Sequence, residues 1–247
     1  MNVNSTWAFK RLVFWHIFAS LLLLSLFSPY GLWNQIDIGV FRFLNAPLAN
    51  HPNARLFWAA ANHRLADWLE DLCLLGLCIA AVFKAPKDKR RKRSAQLIFC
   101  ALLTAMTILL INRVLCRDLL RLRRQSPTLI LDAPVFLSDY ISSFSVKVES
   151  SKSFPGDHAT TALLFASAYA YFVRGRLGLC ALLYAGLLCL PRLVVGAHWF
   201  SDVIVGSGTI AILSLAWALT TPLAAKSIRR IDHVLSLFAR KKELSSS

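Results

Sequence analysis

Three short stretches of this sequence carry polar residues in spacings suited to chemistry on an anion. The first runs from Pro191 through Arg192 and His198 to Asp202. A helix beginning near Ala197 would put His198 and Asp202 on one face, since residues four apart on a helix lie one above the other. Asp202 would then accept the proton of one ring nitrogen and leave the other as a lone-pair nucleophile, the arrangement an activated nucleophile needs. Arg192 stands inside an apolar run beside a proline, where an unpaired charge is costly and points to function. The second stretch, Ser153-Phe-Pro-Gly-Asp-His158, reads as a turn at Pro155 and Gly156 leading into a helix capped by Asp157. Amides at such a helix start bind phosphate oxygens, and His158 can protonate a leaving oxygen. The third, Arg117-x6-Arg124-Gln-Ser-Pro127, offers two guanidiniums for bidentate phosphate contacts. Taken singly, each has a plainer reading: an interfacial His-Asp pair beside a snorkelling arginine, a capping turn, and a basic patch against lipid headgroups.

The elements that must position these residues follow from hydropathy. The chain is 56% hydrophobic, more than a soluble domain of 247 residues needs. Apolar runs at 12–29, 68–83, 95–115, 159–173, 177–195 and 199–223 account for the excess, because crossing a bilayer takes about 20 helical residues. The first run lacks a small-residue cleavage site and reads as an uncleaved span, and residues 37–50 read as a short amphipathic helix lying in the interface. The expected fold is all-α, a polytopic membrane bundle of six transmembrane helices forming one domain over 1–247. Six cysteines fall in or beside these runs without metal-type spacing and read as packing residues.

The net charge of +15 would suggest nucleic acid on a soluble chain. Here the cations flank apolar runs, so membrane topology explains them and no nucleic-acid partner is expected. With six spans, Lys10-Arg11, the basic run at 84–93, Arg174 with Arg176, and the tail (Lys226, Arg229, Arg230, Arg240, Lys241, Lys242) share one side, the cytoplasm. All three chemical stretches then fall on the opposite, extracytoplasmic face. Arg117, Arg121, Arg123 and Arg124 land there too, against the positive-inside rule, and an anionic ligand is the obvious reason.

At these residues the chain resembles the type 2 phosphatidic acid phosphatase superfamily, whose pattern is Lys-x6-Arg-Pro, then Pro-Ser-Gly-His, then Ser-Arg-x5-His-x3-Asp. Arg117 and Arg124 keep the first spacing, Pro155 and His158 match the second, and Arg192, His198 and Asp202 match the third. The likeness spans roughly residues 112–208. Within that superfamily the chain looks like the lipid A 1-phosphate phosphotransferases of Gram-negative inner membranes. It shares with them Ser-Phe-Pro-Gly-Asp-His, Arg-x-Ser-Pro-Thr-Leu, and Pro-Arg-x3-Gly-Ala-His-Trp-Phe-Ser-Asp, with Asn62-x-Arg64-x2-Asp67 in an outer loop.

The resemblance implies a phosphohistidine on His198, with His158 as acid and then base and Asp202 as the orienting carboxylate. Phosphate oxygens would meet Arg117, Arg124, Arg192 and the amides around Gly156 and Asp157. The implied lipid substrates are undecaprenyl diphosphate as donor and lipid A as acceptor, on the periplasmic face of the inner membrane, without a cofactor or metal. Arg64, Arg121 and Arg123, with Lys147 and Lys152, are the candidate contacts to the acceptor. Gly156 departs from the family serine, and Asp157 would repel phosphate unless it pairs with Arg124 or Arg64 or accepts a hydrogen bond from the incoming group. Water as acceptor, giving a lipid phosphate phosphatase, and a non-catalytic lipid-phosphate binder or transporter are the competing readings.

Overall fold

The computed structural model describes residues 5–132, 134–141, 146 and 148–245, with side chains to residue 239. Lys147 and the side chains of Arg240, Lys241 and Lys242 lie outside the described residues. The architecture is all-helical, with no strand among the described residues.

In chain order the helices are α1 (Phe9–Leu24), α2 (Leu32–Asn45), α3 (Pro52–Ala61), α4 (Arg64–Lys84), α5 (Arg90–Thr107), the single turn α6 (Pro127–Ile130), α7 (Asp157–Val173), α8 (Gly175–Val194), α9 (Gly208–Thr220) and α10 (Leu223–Ser245). Each of the six expected spans coincides with a helix. Four of them are long and apolar enough to cross a bilayer: Phe9–Phe27, Lys87–Leu119, Gly175–Val194 and Asp202–Thr220. The other two fall short for a physical reason. α7 has only 17 residues, and α4 spends its first turns on Arg64, Asp67, Glu70 and Asp71. Both helices carry polar groups into the site described below.

Small residues let the central helices approach closely. Ala159, Ala162 and Ala166 of α7 face Ala181 and Ala185 of α8, with Tyr169, Leu188 and Leu193 filling the remaining space. Interfaces rich in alanine and glycine suit packing in lipid, where burying apolar surface supplies no drive and close backbone contact must. At the site end a second cluster, built from Leu48, Ala59, Leu137, Val194, Val195 and Ala197, packs the α2–α3 segment and the connector residues Val135, Leu137, Val146 and Val148 over the end of α8. Asn45 stitches this lid: its amide donates to the carbonyls of Val135 and Val194, and its carbonyl oxygen accepts the Val135 N–H.

Two stretches wind more widely than an α-helix, Ile108–Leu119 at the end of α5 and Asp202–Ser207 at the start of α9. Such π-type turns recur at functional sites because the extra residue re-aims the side chains that follow. Here they carry Arg117 and Asp202.

Candidate active site

The helix expected to begin at Ala197 begins three residues later. After Arg192 the chain turns through Gly196, whose φ is +78°, and helical structure resumes only at Phe200. A Cβ at Gly196 would lie 2.6 Å from the Phe41 ring and 2.7 Å from the Thr128 methyl, so only glycine fits this turn. His198 therefore sits in the turn, Asp202 in the first helical turn, and the two are not stacked on one helix face.

The consequence is a different partner for the candidate nucleophile. Nδ1 of His198 lies 2.7 Å from the Ser153 carbonyl oxygen and 3.8 Å from Asp202 Oδ2, which is beyond hydrogen-bond reach. A carbonyl only accepts, so Nδ1 must carry the proton, and the neutral ring keeps its lone pair on Nε2. The tautomer that was expected from Asp202 is set by a backbone carbonyl of the second stretch.

Asp202 is fully buried and holds the scaffold instead. It accepts the Trp199 N–H at 2.8 Å and Arg124 Nη1 at 2.7 Å. Arg124 is committed elsewhere as well: Nη2 donates to Asp37 Oδ2 at 2.7 Å and Nη1 to Ser201 Oγ at 2.7 Å. Asp37, fully buried on α2, also accepts the Ser201 N–H at 2.7 Å and its hydroxyl at 2.5 Å. The Arg124 carbonyl in turn accepts from both the amide and the hydroxyl of Ser153. Arg124, expected on the phosphate, is thus a bracket that ties its own stretch to α2 and to the stretches at 153–158 and 191–202. Two carboxylates and a hydroxyl hold its terminal nitrogens, and it does not line the cleft.

The cleft itself has a volume of about 560 Å³, and Arg117, Asp157, His158, Arg192 and His198 line it together with Glu149 and Lys152. Residues from all three stretches therefore converge. Arg117 pairs with Asp157 at 2.7 Å, and Asn112 donates to the other Asp157 oxygen at 3.0 Å. Asp157 has the cationic partner it needs, but that partner is Arg117 rather than Arg124 or Arg64. Asp157 is also the first residue of α7 and not its cap; Gly156 holds the cap position in extended geometry. The first N–H groups of α7 have no intrahelical acceptor and point out of the helix start, as an anion site requires.

Arg192 leaves the last turn of α8 and donates to Asp67 at 3.0 Å and to the side-chain oxygen of Asn62. Asp67 also faces His158, 3.2 Å from Nε2. One carboxylate from α4 thereby positions both the arginine and the candidate acid. Burial lowers the His158 pKa, the Arg192 charge lowers it further, and Asp67 opposes both. His158 accordingly rests neutral at neutral pH.

Asp67, Glu70 and His158 are the one group among the described residues with metal-type donors gathered together, all within 4.8 Å of one another. Its chemistry fits a cation poorly, because Asp67 is already bound to the Arg192 guanidinium, whose charge would oppose a second cation at the same oxygens.

Arg64, Arg121 and Arg123 are exposed and do not line the cleft. Lys152 does. Asp37, Glu70, Asn112 and Glu149 fall outside the three stretches and reach the site only through the tertiary fold.

Comparison with known proteins now meets this geometry. The sequence pattern of the PAP2 superfamily matches residues 126–226, which include the stretches at 153–158 and 191–202. Lipid A 1-diphosphate synthase of Escherichia coli is 32% identical over 228 residues, 91% of this chain and 93% of that protein. The chain belongs to the PAP2 superfamily. The crystal structure of Aquifex aeolicus LpxE is also similar, with a TM-score of 0.47 and 21% identity over 72% of this chain and 92% of that one. Gly156 stands where the family resemblance implied a serine. A Cβ there would sit 3.4 Å from Nδ1 and Cε1 of His198, in ordinary contact, so glycine is not demanded by space.

Proposed function

We propose that this PAP2 enzyme transfers a phosphoryl group from undecaprenyl diphosphate to the 1-phosphate of lipid A through a phosphohistidine on His198. The observation that carries the reading is the 2.7 Å contact from His198 Nδ1 to the Ser153 carbonyl, which leaves the Nε2 lone pair as nucleophile in a cleft shared with two arginines and a second histidine. The similarity to lipid A 1-diphosphate synthase supports the choice of substrates.

In the first half-reaction Nε2 attacks the terminal phosphorus. The N–P bond forms, the bond from phosphorus to the bridging oxygen breaks, and undecaprenyl phosphate departs. Arg117, Arg192 and the α7 amides stabilise the charge on the transferring oxygens, a preorganised electrostatic contribution that is usually the largest in such sites. Their carboxylate partners hold the guanidiniums in place before substrate arrives, so less reorganisation is needed during the reaction. His158, in its protonated form, gives a proton to the departing oxygen. In the second half-reaction an oxygen of the lipid A 1-phosphate attacks phosphorus and the N–P bond breaks, with His158 as base. Lys152, on the rim beside Glu149 and Ser150, is the cation best placed for the acceptor phosphate. The distribution of basic residues supports a periplasmic site on the inner membrane.

The test is to incubate purified protein with labelled undecaprenyl diphosphate, with and without lipid A. Label should pass to lipid A, with little free phosphate released. If the donor is hydrolysed as fast without lipid A as with it, the acceptor is water and the enzyme is a phosphatase.

A further inference from the structure

The helices that build the catalytic cleft also form a second cationic site at their opposite ends. Two adjoining cavities of about 300 and 250 Å³ lie where α4 and α7 end and α5 and α8 begin. They share Ala85, Pro86, Arg93 and Arg174. Lys84 and Arg176 line the first, Lys89 and Lys92 the second, and neither is lined by an acidic side chain. The 17 residues of α7 set this site about 25 Å from His158, on the other membrane face.

Membrane topology alone explains cations on this face, but three observations exceed what topology asks for. The cations surround concavities instead of lying on an open surface. Arg93 is half-buried, with its guanidinium bound to the Phe172 carbonyl, so its charge is fixed between α5 and α7. Arg174 adopts φ +56° and ψ −178°, a backbone region that glycine tolerates and other residues rarely enter. Glycine at 174 would relieve that strain, and Arg176 would still supply the topological charge. The lower wall is apolar, formed by Ala81, Val173 and Leu177. A cationic rim above an apolar wall at a membrane boundary matches a phosphate with hydrocarbon attached, and basic pockets between spans bind lipid headgroups in this way.

We infer that these cavities form a binding site for the phosphate headgroup of an anionic phospholipid in the leaflet opposite the catalytic cleft. The experiment is native mass spectrometry of the delipidated full chain in detergent, titrated with phosphatidylglycerol, phosphatidylcholine or inorganic phosphate. Phosphatidylglycerol should bind at least tenfold more tightly than phosphatidylcholine. Lys92→Gln/Arg174→Gln should weaken it about tenfold or more, since each juxtamembrane cation contributes about a factor of five. Lys226→Gln/Arg229→Gln, on the same face but outside the cavities, should leave binding within about twofold. Equal loss in both double variants would reduce the site to diffuse interfacial charge and overturn the inference. Displacement of phosphatidylglycerol by millimolar inorganic phosphate would overturn the lipid assignment in favour of a soluble phosphate. Should the first double variant fail to fold, Arg174→Gly, which relieves the backbone, gives the same reading: weaker phosphatidylglycerol binding supports the site, and unchanged binding removes it.

Discussion

Replacing Asp37 by asparagine separates two roles for Arg124 that imply different kinetics. If Arg124 is the bracket described above, Asp37→Asn removes the charge and the Oδ2 acceptor that serves Arg124 Nη2 and the Ser201 hydroxyl, and leaves Oδ1 for the Ser201 amide. A charge-assisted hydrogen bond contributes about 1.5–3 kcal/mol, and stripping one partner from a fully buried pair costs about 3–5 kcal/mol. Arg124 is one-third exposed and keeps Asp202, so the lower range applies. For a chain of this size about 1.5–3 kcal/mol lowers the melting temperature by about 3–12 °C. Because Ser153 is tied to the Arg124 backbone and fixes the His198 ring, kcat should fall while KM changes less than about twofold. Arg124→Lys should show the same signature, and the double variant should be less damaged than the sum of the singles, as expected for groups in one network. The assay is a thermal melt in detergent alongside steady-state transfer. A KM raised tenfold with the melting temperature unchanged would refute the bracket and return Arg124 to the phosphate.

Three further outcomes follow from the geometry. The His158 pKa is depressed, so its protonated form is scarce at neutral pH, and kcat/KM should fall as pH rises through a value below the usual histidine range near 6.5; Asp67→Asn removes the one raising influence and should move that limb further acid, and an alkaline shift would remove His158 as the acid. Gly156→Ser should fold normally, since its Cβ makes only ordinary contact with His198, and a melting temperature lowered by more than about 4 °C would show hidden crowding. Lys152→Ala should lower transfer to lipid A about tenfold while Arg64→Ala stays within about twofold; the reverse ranking, read from paired transfer and hydrolysis rates, would move the acceptor to the outer surface.

What could be read from the sequence was local in character. Spacing within Arg192–His198–Asp202 and within Pro155–His158 placed both histidines and Arg192 in one site, and the apolar runs located the helices that deliver them. The remainder depends on partners remote in the chain. Arg124 looked like a phosphate ligand because nothing in its neighbourhood reveals Asp37 on α2, and Asp157 seemed to lack a cation because only the π-type winding of 108–119 brings Arg117 and Asn112 to it. The supposed His198–Asp202 bond failed on a single backbone feature: the Gly196 turn delays the helix, and the Ser153 carbonyl accepts the ring N–H instead. The shortness of α4 and α7 as spans has the same origin, since their first turns belong to the site.

The covalent intermediate is the central claim, and trapping it is the most direct test. Protein mixed with terminally labelled undecaprenyl diphosphate and quenched in alkaline denaturant should retain label that is stable to base and lost in acid. His198→Ala should abolish that label together with both transfer and hydrolysis, while His158→Ala should slow turnover about 10²–10⁴-fold, the usual contribution of general acid–base catalysis. Label that persists in His198→Ala, or substantial transfer without it, would contradict the mechanism at its first step.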